Sequence, residues 1–378
     1  MCNSKTFFFY LFGVMFLGVT ACRPREMKVD IDNILHAEVR DFVDSTDFFL
    51  VPLETNDQSL MGSIQKIVAG KENLFVLCDQ GGPPELTTTM LLVFNKDGTF
   101  SSKIGTVGPG PDEYLGIDGF DIDDNTRTVH LLDSDLKKVL VYTYDGVFVR
   151  GLPLSNDDAE GYDMVVLDNL YAFMNRWPTP VIEEISVTNM QGKAQHKYLP
   201  RNNQKYSMVP MGPYYFYKMN GEAYFVPFCD DRILKLDAKG NLKQIKELGL
   251  KSVMFPLDAT LSEMTMGQGD NKLAPIKNFV INGKGQYCAS THSRKGVIDL
   301  FGDIHKPDVV MRTVYGSISM PDLTFAMDVV GADGDYFIGR LDAYSALKSY
   351  PELKKQNVND ESNPVLVYFK FLPKTFEN

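Results

Sequence analysis

The stretch KIGTVGPGPDEYLGIDGFDID, residues 103–123, gathers residue types that cradle a phosphate. Gly105 and Gly110 have the spacing of a nucleotide-binding loop, where glycine lets backbone N–H groups approach the ligand. The chemistry fails at the next two positions. Pro111 and Asp112 stand where a lysine and a hydroxyl residue would neutralise phosphate and hold magnesium. Pro109 and Pro111 carry no N–H, Asp112 and Glu113 repel an anion, and Glu113 occupies the third glycine position of a dinucleotide fingerprint. The same residues suit a rigid connection between strands. Gly108 and Gly110 shape its path, Glu113 caps loop amides, and Tyr114 is expected to wedge between neighbouring sheets.

Other constellations are weaker. Asp121, Asp123 and Asn125 begin like a calcium loop, but Thr126 and Leu132 replace the glycine and glutamate it needs, so a β-turn is expected. The five histidines, His36, His130, His196, His292 and His305, show no metal-ligand spacing, and no nucleophile elbow is present. Asp230 and Asp231 pair two carboxylates just ahead of Arg232, in CDDRILKL, where a strand should begin after a turn. Trp177, the single tryptophan, follows Arg176 in NRWPTP, a stacking surface beside a hydrogen-bonding cation that suits a sugar or peptide. His292, Arg294 and Lys295 make a basic spot in THSRKG, a place for an acidic group on a hairpin turn. Arg176, Trp177, Asp230, Asp231, Arg232, His292 and Arg294 are thus the ligand-binding candidates. No catalytic residue, metal or cofactor is expected.

Such residues need a scaffold, and 378 residues with 44% hydrophobic and 23% charged content are globular usage. A net charge of −11 argues against nucleic acid or an anionic lipid surface as partner, since both require a cationic face. The N-terminus reads as a targeting segment. Lys5 precedes the apolar run FFFYLFGVMFLGV, residues 7–19, and VTAC at 19–22 resembles a bacterial lipobox, which makes Cys22 the lipidated first residue of the mature chain. Residues 1–21 are then a signal peptide and 22–46 a linker, with a membrane partner through the lipid. An acidic run next to Cys22 is missing, so the periplasmic face of the outer membrane is favoured over the cell surface. Cys78, Cys229 and Cys288 lie in apolar runs without zinc spacing and are expected as thiols.

The scaffold is a repeat. LLVFNKDGTFSSKI, VLVYTYDGVFVRGL, ISVTNMQGKAQHKY and ILKLDAKGNLKQIK each join two strands through a polar turn, with Gly98, Gly146, Gly192 and Gly240 at separations of 48, 46 and 48. Glycine belongs in such turns because they need a positive φ. A period of this size built from hairpins predicts an all-β, six-bladed β-propeller with four-stranded antiparallel blades over residues 47–378. The sixth blade runs one strand short after a helical insertion broken at Pro351. DFFLVPLE, residues 47–54, belongs to no other blade and is predicted to close the ring against 365–371.

FFLVPLET, VFNKDGTFSSKIG, VGPGPDEYLGIDGFDID, VYTYDGVFV and ESNPVLVYFKF together resemble the six-bladed β-propeller lipoproteins of gut-type bacteria, which are distantly similar to NHL-repeat proteins. The resemblance implies fold and envelope location but no reaction. The expectation is therefore a lipid-anchored, non-catalytic binding module for a glycan, peptide or envelope protein. Two further expectations compete with it. One is an extracytoplasmic lyase or hydrolase whose acids and histidines, such as His130, His292 or the Asp230–Asp231 pair, gather at one mouth of the ring; the other is a structural subunit of an envelope complex.

Overall fold

The computed structural model describes residues 43–44, 46–81, 88–155, 161–175, 183–200, 216–255, 272–293, 296–306, 309–312 and 329–372, with side chains left aside at 292–293, 296–297 and 309–312. Strand β1 (Phe49–Pro52) precedes five consecutive four-stranded units. Blade 1 is β2 (Ile64–Ala69), β3 (Asn73–Asp79), β4 (Thr89–Asn95) and β5 (Phe100–Ile104). Blade 2 is β6 (Gly119–Asp123), β7 (Thr128–Asp133), β8 (Lys138–Thr143) and β9 (Phe148–Pro153). Blade 3 is β10 (Gly161–Leu167), β11 (Leu170–Asn175), β12 (Glu183–Asn189) and β13 (Ala194–Pro200). Blade 4 is β14 (Tyr217–Met219), β15 (Glu222–Phe225), β16 (Arg232–Leu236) and β17 (Leu242–Glu247). Blade 5 is β18 (Lys277–Ile281), β19 (Gln286–Ser293), β20 (Gly296–Asp303) and β21 (Val309–Arg312). Blade 6 takes β22 (Val329–Asp333), β23 (Tyr336–Leu341) and β24 (Val365–Phe369) from the C-terminal part of the chain, and β1 completes it in the order β1-β24-β23-β22. The molecule is a six-bladed β-propeller.

The sequence of each strand follows its place in the blade. Middle strands are covered on both faces by neighbouring blades, so NLFVLCD of β3 is buried at six consecutive positions. Outer strands face water and are polar, as in AQHKYLP of β13 and LKQIKE of β17. The core therefore lies between blades. Phe75 and Leu77 of blade 1 meet Phe120, Ile122 and Leu131 of blade 2, and Val165 and Met174 of blade 3 meet Phe225 and Leu234 of blade 4.

The repeated turns carry the backbone that the glycines predict. Gly98, Gly146, Gly192 and Gly240 have φ of +89°, +81°, +81° and +77°, and each N–H bonds to the carbonyl three residues earlier. This is a type I turn followed by a left-handed glycine, which in blades 1 to 4 also shifts the register between third and outer strands.

Closure is a pairing of Phe49↔Tyr368 through Pro52↔Val365, extended by a bridge between Val43 and Phe371. The Phe49 ring stacks on Tyr368 with centroids 4.6 Å apart. Buried Asn363 locks the segment that follows β1: its Oδ1 accepts from Met61 N at 3.0 Å and its Nδ2 donates to Glu54 O at 2.7 Å and Ser59 O at 2.9 Å. Between β23 and β24 lies helix α1 (Ala343–Ser349), capped by Asp342, whose Oδ1 accepts from Ser345 N at 2.8 Å. The helix stops before Pro351, where the sequence predicts a break, and a 3-10 turn follows from Pro351 to Gln356.

Candidate functional site

Antiparallel order fixes which ends of the strands meet. In every blade the innermost strand starts, and the second strand ends, on the same face of the ring, which we call the mouth. At the mouth the first residues of β2, β14, β18 and β22 converge, with Arg340 arriving from β23. Ser63, Ile64, Gln65, Tyr217, Asn278, Val329, Val330 and Arg340 line a cavity of about 200 Å³. Bulges aim several of these side chains. The ladder slips between Ile64 and Lys66, between Lys277 and Val280, and between Val329 and Gly331, which leaves Gln65, Asn278 and Val330 as extra residues. Asn278 has φ +53°, a left-handed conformation that asparagine tolerates, and its Nδ2 donates to Ser290 Oγ at 3.2 Å. Arg340 Nη1 donates to Ser63 Oγ.

One residue further along the innermost strands, charges from blades that are not neighbours meet. Lys66 of blade 1 reaches Asp163 of blade 3 with Nζ 3.3 Å from Oδ1, both out of solvent. Lys218 of blade 4 reaches Asp121 of blade 2 with Nζ 2.6 Å from Oδ2, and also donates to Ile122 O at 2.6 Å. Backbone N–H groups bind the same carboxylates: Asp163 Oδ2 accepts from Phe216 N at 3.0 Å, and Asp121 Oδ2 accepts from Val166 N at 2.8 Å. Burial pushes the Asp163 carboxyl above the ordinary carboxylate range, against the pull of Lys66 and of two backbone N–H groups. Gly119 makes the approach possible, because a Cβ there would stand 2.7 Å from the Asp163 Cα. Lys66 Nζ also lies 5.7 Å from the Phe120 ring centroid and 5.8 Å from that of Tyr217, so a wall of the cavity rests on the ion pair.

The residues singled out from sequence distribute as follows. Asp230 and Asp231 lie in the connection between β15 and β16, Arg232 opens β16, and His292 lies within β19. Arg176, Trp177, Arg294 and Lys295 lie outside the described residues, and so does the side chain of His292 near the end of β19. Asp230 holds Arg232, whose Nε donates to its Oδ1 at 2.9 Å and Oδ2 at 3.0 Å. Asp231 turns inward, 2% exposed, and its Oδ2 accepts from Leu250 N at 2.8 Å and Lys251 N at 2.9 Å. It is a loop anchor.

His130 does not reach the mouth, contrary to the clustering an enzyme would require. It sits on β7 between blades 2 and 3, Nδ1 2.9 Å from Tyr171 Oη and Nε2 2.9 Å from Thr128 Oγ1, and Arg150 Nη2 donates to the same Tyr171 oxygen at 3.3 Å. Burial, with smaller contributions from the Arg150 and Lys218 cations, lowers its pKa to about 4 despite the opposing charges of Asp121 and Asp123. The imidazole is neutral at physiological pH. In the DIDDN segment Asp123 makes the expected turn, its Oδ1 accepting from Asn125 N at 2.9 Å, whereas Asp121 belongs to the channel. Cys78 and Cys288 are buried thiols whose pKa burial pushes up, and Cys229, half-buried in the loop after β15, is not in a disulfide.

The glycine-rich stretch is a braced connection from β5 to β6. Gly110 N donates to Glu113 Oε2 at 2.9 Å, and Gly108 N donates to Tyr114 O at 2.9 Å. Tyr114 is fully buried among residues of blades 1 and 2. Lys138 Nζ donates to Gly110 O at 2.8 Å and Tyr142 Oη to Asp112 O at 2.6 Å, so blade 2 holds the loop at both ends of its turn.

Sequence reasoning missed Lys66, Asp163, Lys218, Gln65, Asn278 and Arg340, and it read Asp121 as part of a turn. A signal existed for four of them: IQK, GFD, GYD and FYK each place one charge at the same step of an innermost strand, with signs that match across the ring.

Two solved structures match across nearly the whole fold. A Bacteroides fragilis NCTC 9343 protein inferred to be exported has a TM-score of 0.68 at 17% identity, covering 89% of this chain and 98% of its own. A DUF4221 family member from Bacteroides vulgatus ATCC 8482 has a TM-score of 0.53 at 10% identity, covering 87% of this chain and 97% of its own. At such identities both show the fold alone. No curated protein is significantly similar in sequence. The model of one family spans residues 28–370, nearly all of the propeller, and the chain belongs to that family, the domain of unknown function DUF4934.

Proposed function

We propose that this propeller is an extracytoplasmic binding module, lipid-anchored through Cys22 at the outer membrane, that holds a glycan, peptide or partner protein at its mouth. One observation carries the reading: a concave site assembled from blades 1, 4, 5 and 6, with three amide or hydroxyl side chains and one guanidinium on apolar walls. Catalysis by general acid and base needs titratable groups within reach of substrate, and among the described lining residues there is neither carboxylate nor imidazole. His130 and Asp231 are committed elsewhere, which favours binding over a lyase or hydrolase.

The placement of the N-terminal side supports the anchored reading. Val43 and Asp47 lie on the far face, where Asp47 Oδ1 accepts from Tyr336 Oη at 2.7 Å beside the β22–β23 turn. A tether entering at Val43 is compatible with a mouth that faces away from the membrane. The B. fragilis protein of similar fold, inferred to be exported, is in keeping with an envelope location.

The test has two arms. Cys22→Ser should move the protein from the membrane fraction to the soluble fraction. For the chain starting at Arg23, thermal unfolding is followed with oligosaccharides, peptides and divalent metals; a ligand at a hundred times its Kd stabilises by about 2.7 kcal/mol. A shift abolished by Gln65→Ala supports the mouth as the site, whereas a metal shift reversed by a chelator would favour the enzyme.

A further inference from the structure

We infer that the mouth cavity recognises a hexuronic acid residue of an acidic polysaccharide, with Arg340 reading its carboxylate. The inference rests on the binding-module reading and narrows it to one ligand class. Its starting point is a reversal of charge. The chain carries 49 acidic against 38 basic residues, yet the single formally charged side chain among the described residues of the cavity is a guanidinium. A planar guanidinium matches a carboxylate with two parallel N–H···O bonds. Its bond to Ser63 Oγ ties the end of β23 to the start of blade 1 and fixes its orientation at the wall.

The other polar groups separate a hydroxylated acid from a bare anion. Gln65, Asn278 and Ser63 each both donate and accept, as ring hydroxyls do. A site built for sulfate or phosphate would gather donors alone. Ile64, Val329, Val330 and Tyr217 supply apolar and aromatic surface for the C–H face of a pyranose ring.

Size and depth limit the ligand further. About 200 Å³ is below the range of roughly 300–1,000 Å³ that drug-sized ligands occupy, so the cavity suits one sugar ring. Beneath it the Lys66–Asp163 and Lys218–Asp121 pairs join blade 1 to blade 3 and blade 4 to blade 2, so a polymer is expected to present a terminal or projecting residue rather than thread the ring. A peptide bound as an added strand would need a free sheet edge. Each blade has one edge at the rim and one at its innermost strand, and the inner edges of β2, β14, β18 and β22 converge on a cavity of about 200 Å³, too small for an extended peptide strand.

The experiment is calorimetric titration of the chain from Arg23 with galacturonate and glucuronate oligosaccharides, their neutral galactose and glucose counterparts, inorganic sulfate, and a dipeptide with a free C-terminus. The expected result is uronate binding at least about tenfold tighter than that of the neutral sugar. Arg340→Gln should weaken it by about ten- to a hundredfold, the range for a charged hydrogen bond, and leave the neutral sugar unaffected. Gln65→Ala should weaken both sugars, and Arg340→Lys, which keeps the charge but loses the fork, should recover part of the uronate preference if Arg340→Gln misfolds. Equal binding of neutral and acidic sugar, lost in Gln65→Ala but not in Arg340→Gln, overturns the carboxylate inference and leaves the binding module standing. Sulfate or dipeptide competing more strongly than uronate overturns it in favour of that class. Failure of all four classes to bind overturns the inference and the small-ligand mouth together.

Discussion

Lys66 and Asp163 meet across the channel from blades that are not neighbours, with Nζ 3.3 Å from Oδ1 and side chains 3% and 0% exposed. Two desolvated charges contribute little net stability as a pair, but each alone is costly. Lys66→Met is therefore expected to destabilise the propeller by about 3–5 kcal/mol, because Asp163 loses its counter-charge in a dry site. Lys66→Met with Asp163→Leu should regain most of that. Urea unfolding of the wild type, both single variants and the double variant measures the coupling, and additive effects would mean that the pair does not act as a unit.

Acid sensitivity should follow from His130. Its pKa falls from an ordinary 6.5 to about 4 in the folded chain, so below pH 6.5 the unfolded chain takes up a proton that the folded one refuses. The stability this group contributes is complete above pH 6.5 and is lost as pH falls toward 4; two and a half pH units correspond to roughly 3 kcal/mol. His130→Asn should lower stability at pH 7, through loss of the Tyr171 and Thr128 contacts, while flattening its slope between pH 6.5 and 4. An unchanged slope would assign the acid response to carboxylates instead.

Asp231 and Arg340 offer a separation of structural from binding roles. Asp231→Ala removes the acceptor for Leu250 N and Lys251 N in a buried loop, which should cost about 1–3 kcal/mol with no change in ligand affinity at the mouth. Arg340 is half-buried at the cavity wall, and its replacement should act mainly on affinity. Thermal unfolding and titration of the two variants check the division; equal stability losses would undo it.

The fold was legible because its signals are local. A hairpin glycine with φ near +80° recurs at Gly98, Gly146, Gly192 and Gly240, and an orphan strand at 47–54 can only be accommodated by ring closure. The site was less legible because it is built from one or two residues per blade. Gln65 and Asn278 gain their direction from bulges, and no local pattern in IQKIVA or KNFVI announces a slip in the ladder. Lys66 and Asp163 are 97 positions apart, and their signs acquire meaning only when the innermost strands are set side by side. Asp231 misled because a paired carboxylate reads the same whether it faces a ligand or two backbone amides.

Ring closure can be tested by comparing two glycines and one truncation. Gly98 has φ +89°, and a Cβ there would stand 2.2 Å from Pro52 O in the closing segment. Gly221 has a similar φ of +77° but nothing within 4 Å of the same position. Gly221→Ala should therefore cost only the left-handed penalty of about 1–2 kcal/mol. Gly98→Ala adds displacement of the backbone that joins β1 to blade 1, and should cost clearly more. A chain starting at Thr55 lacks β1, so β24 becomes an open edge; it should unfold at lower temperature and scatter light as strands pair between molecules. If Gly98→Ala and Gly221→Ala lose equal stability while the truncated chain stays monomeric and as stable as the longer one, β1 is not what holds the ring shut.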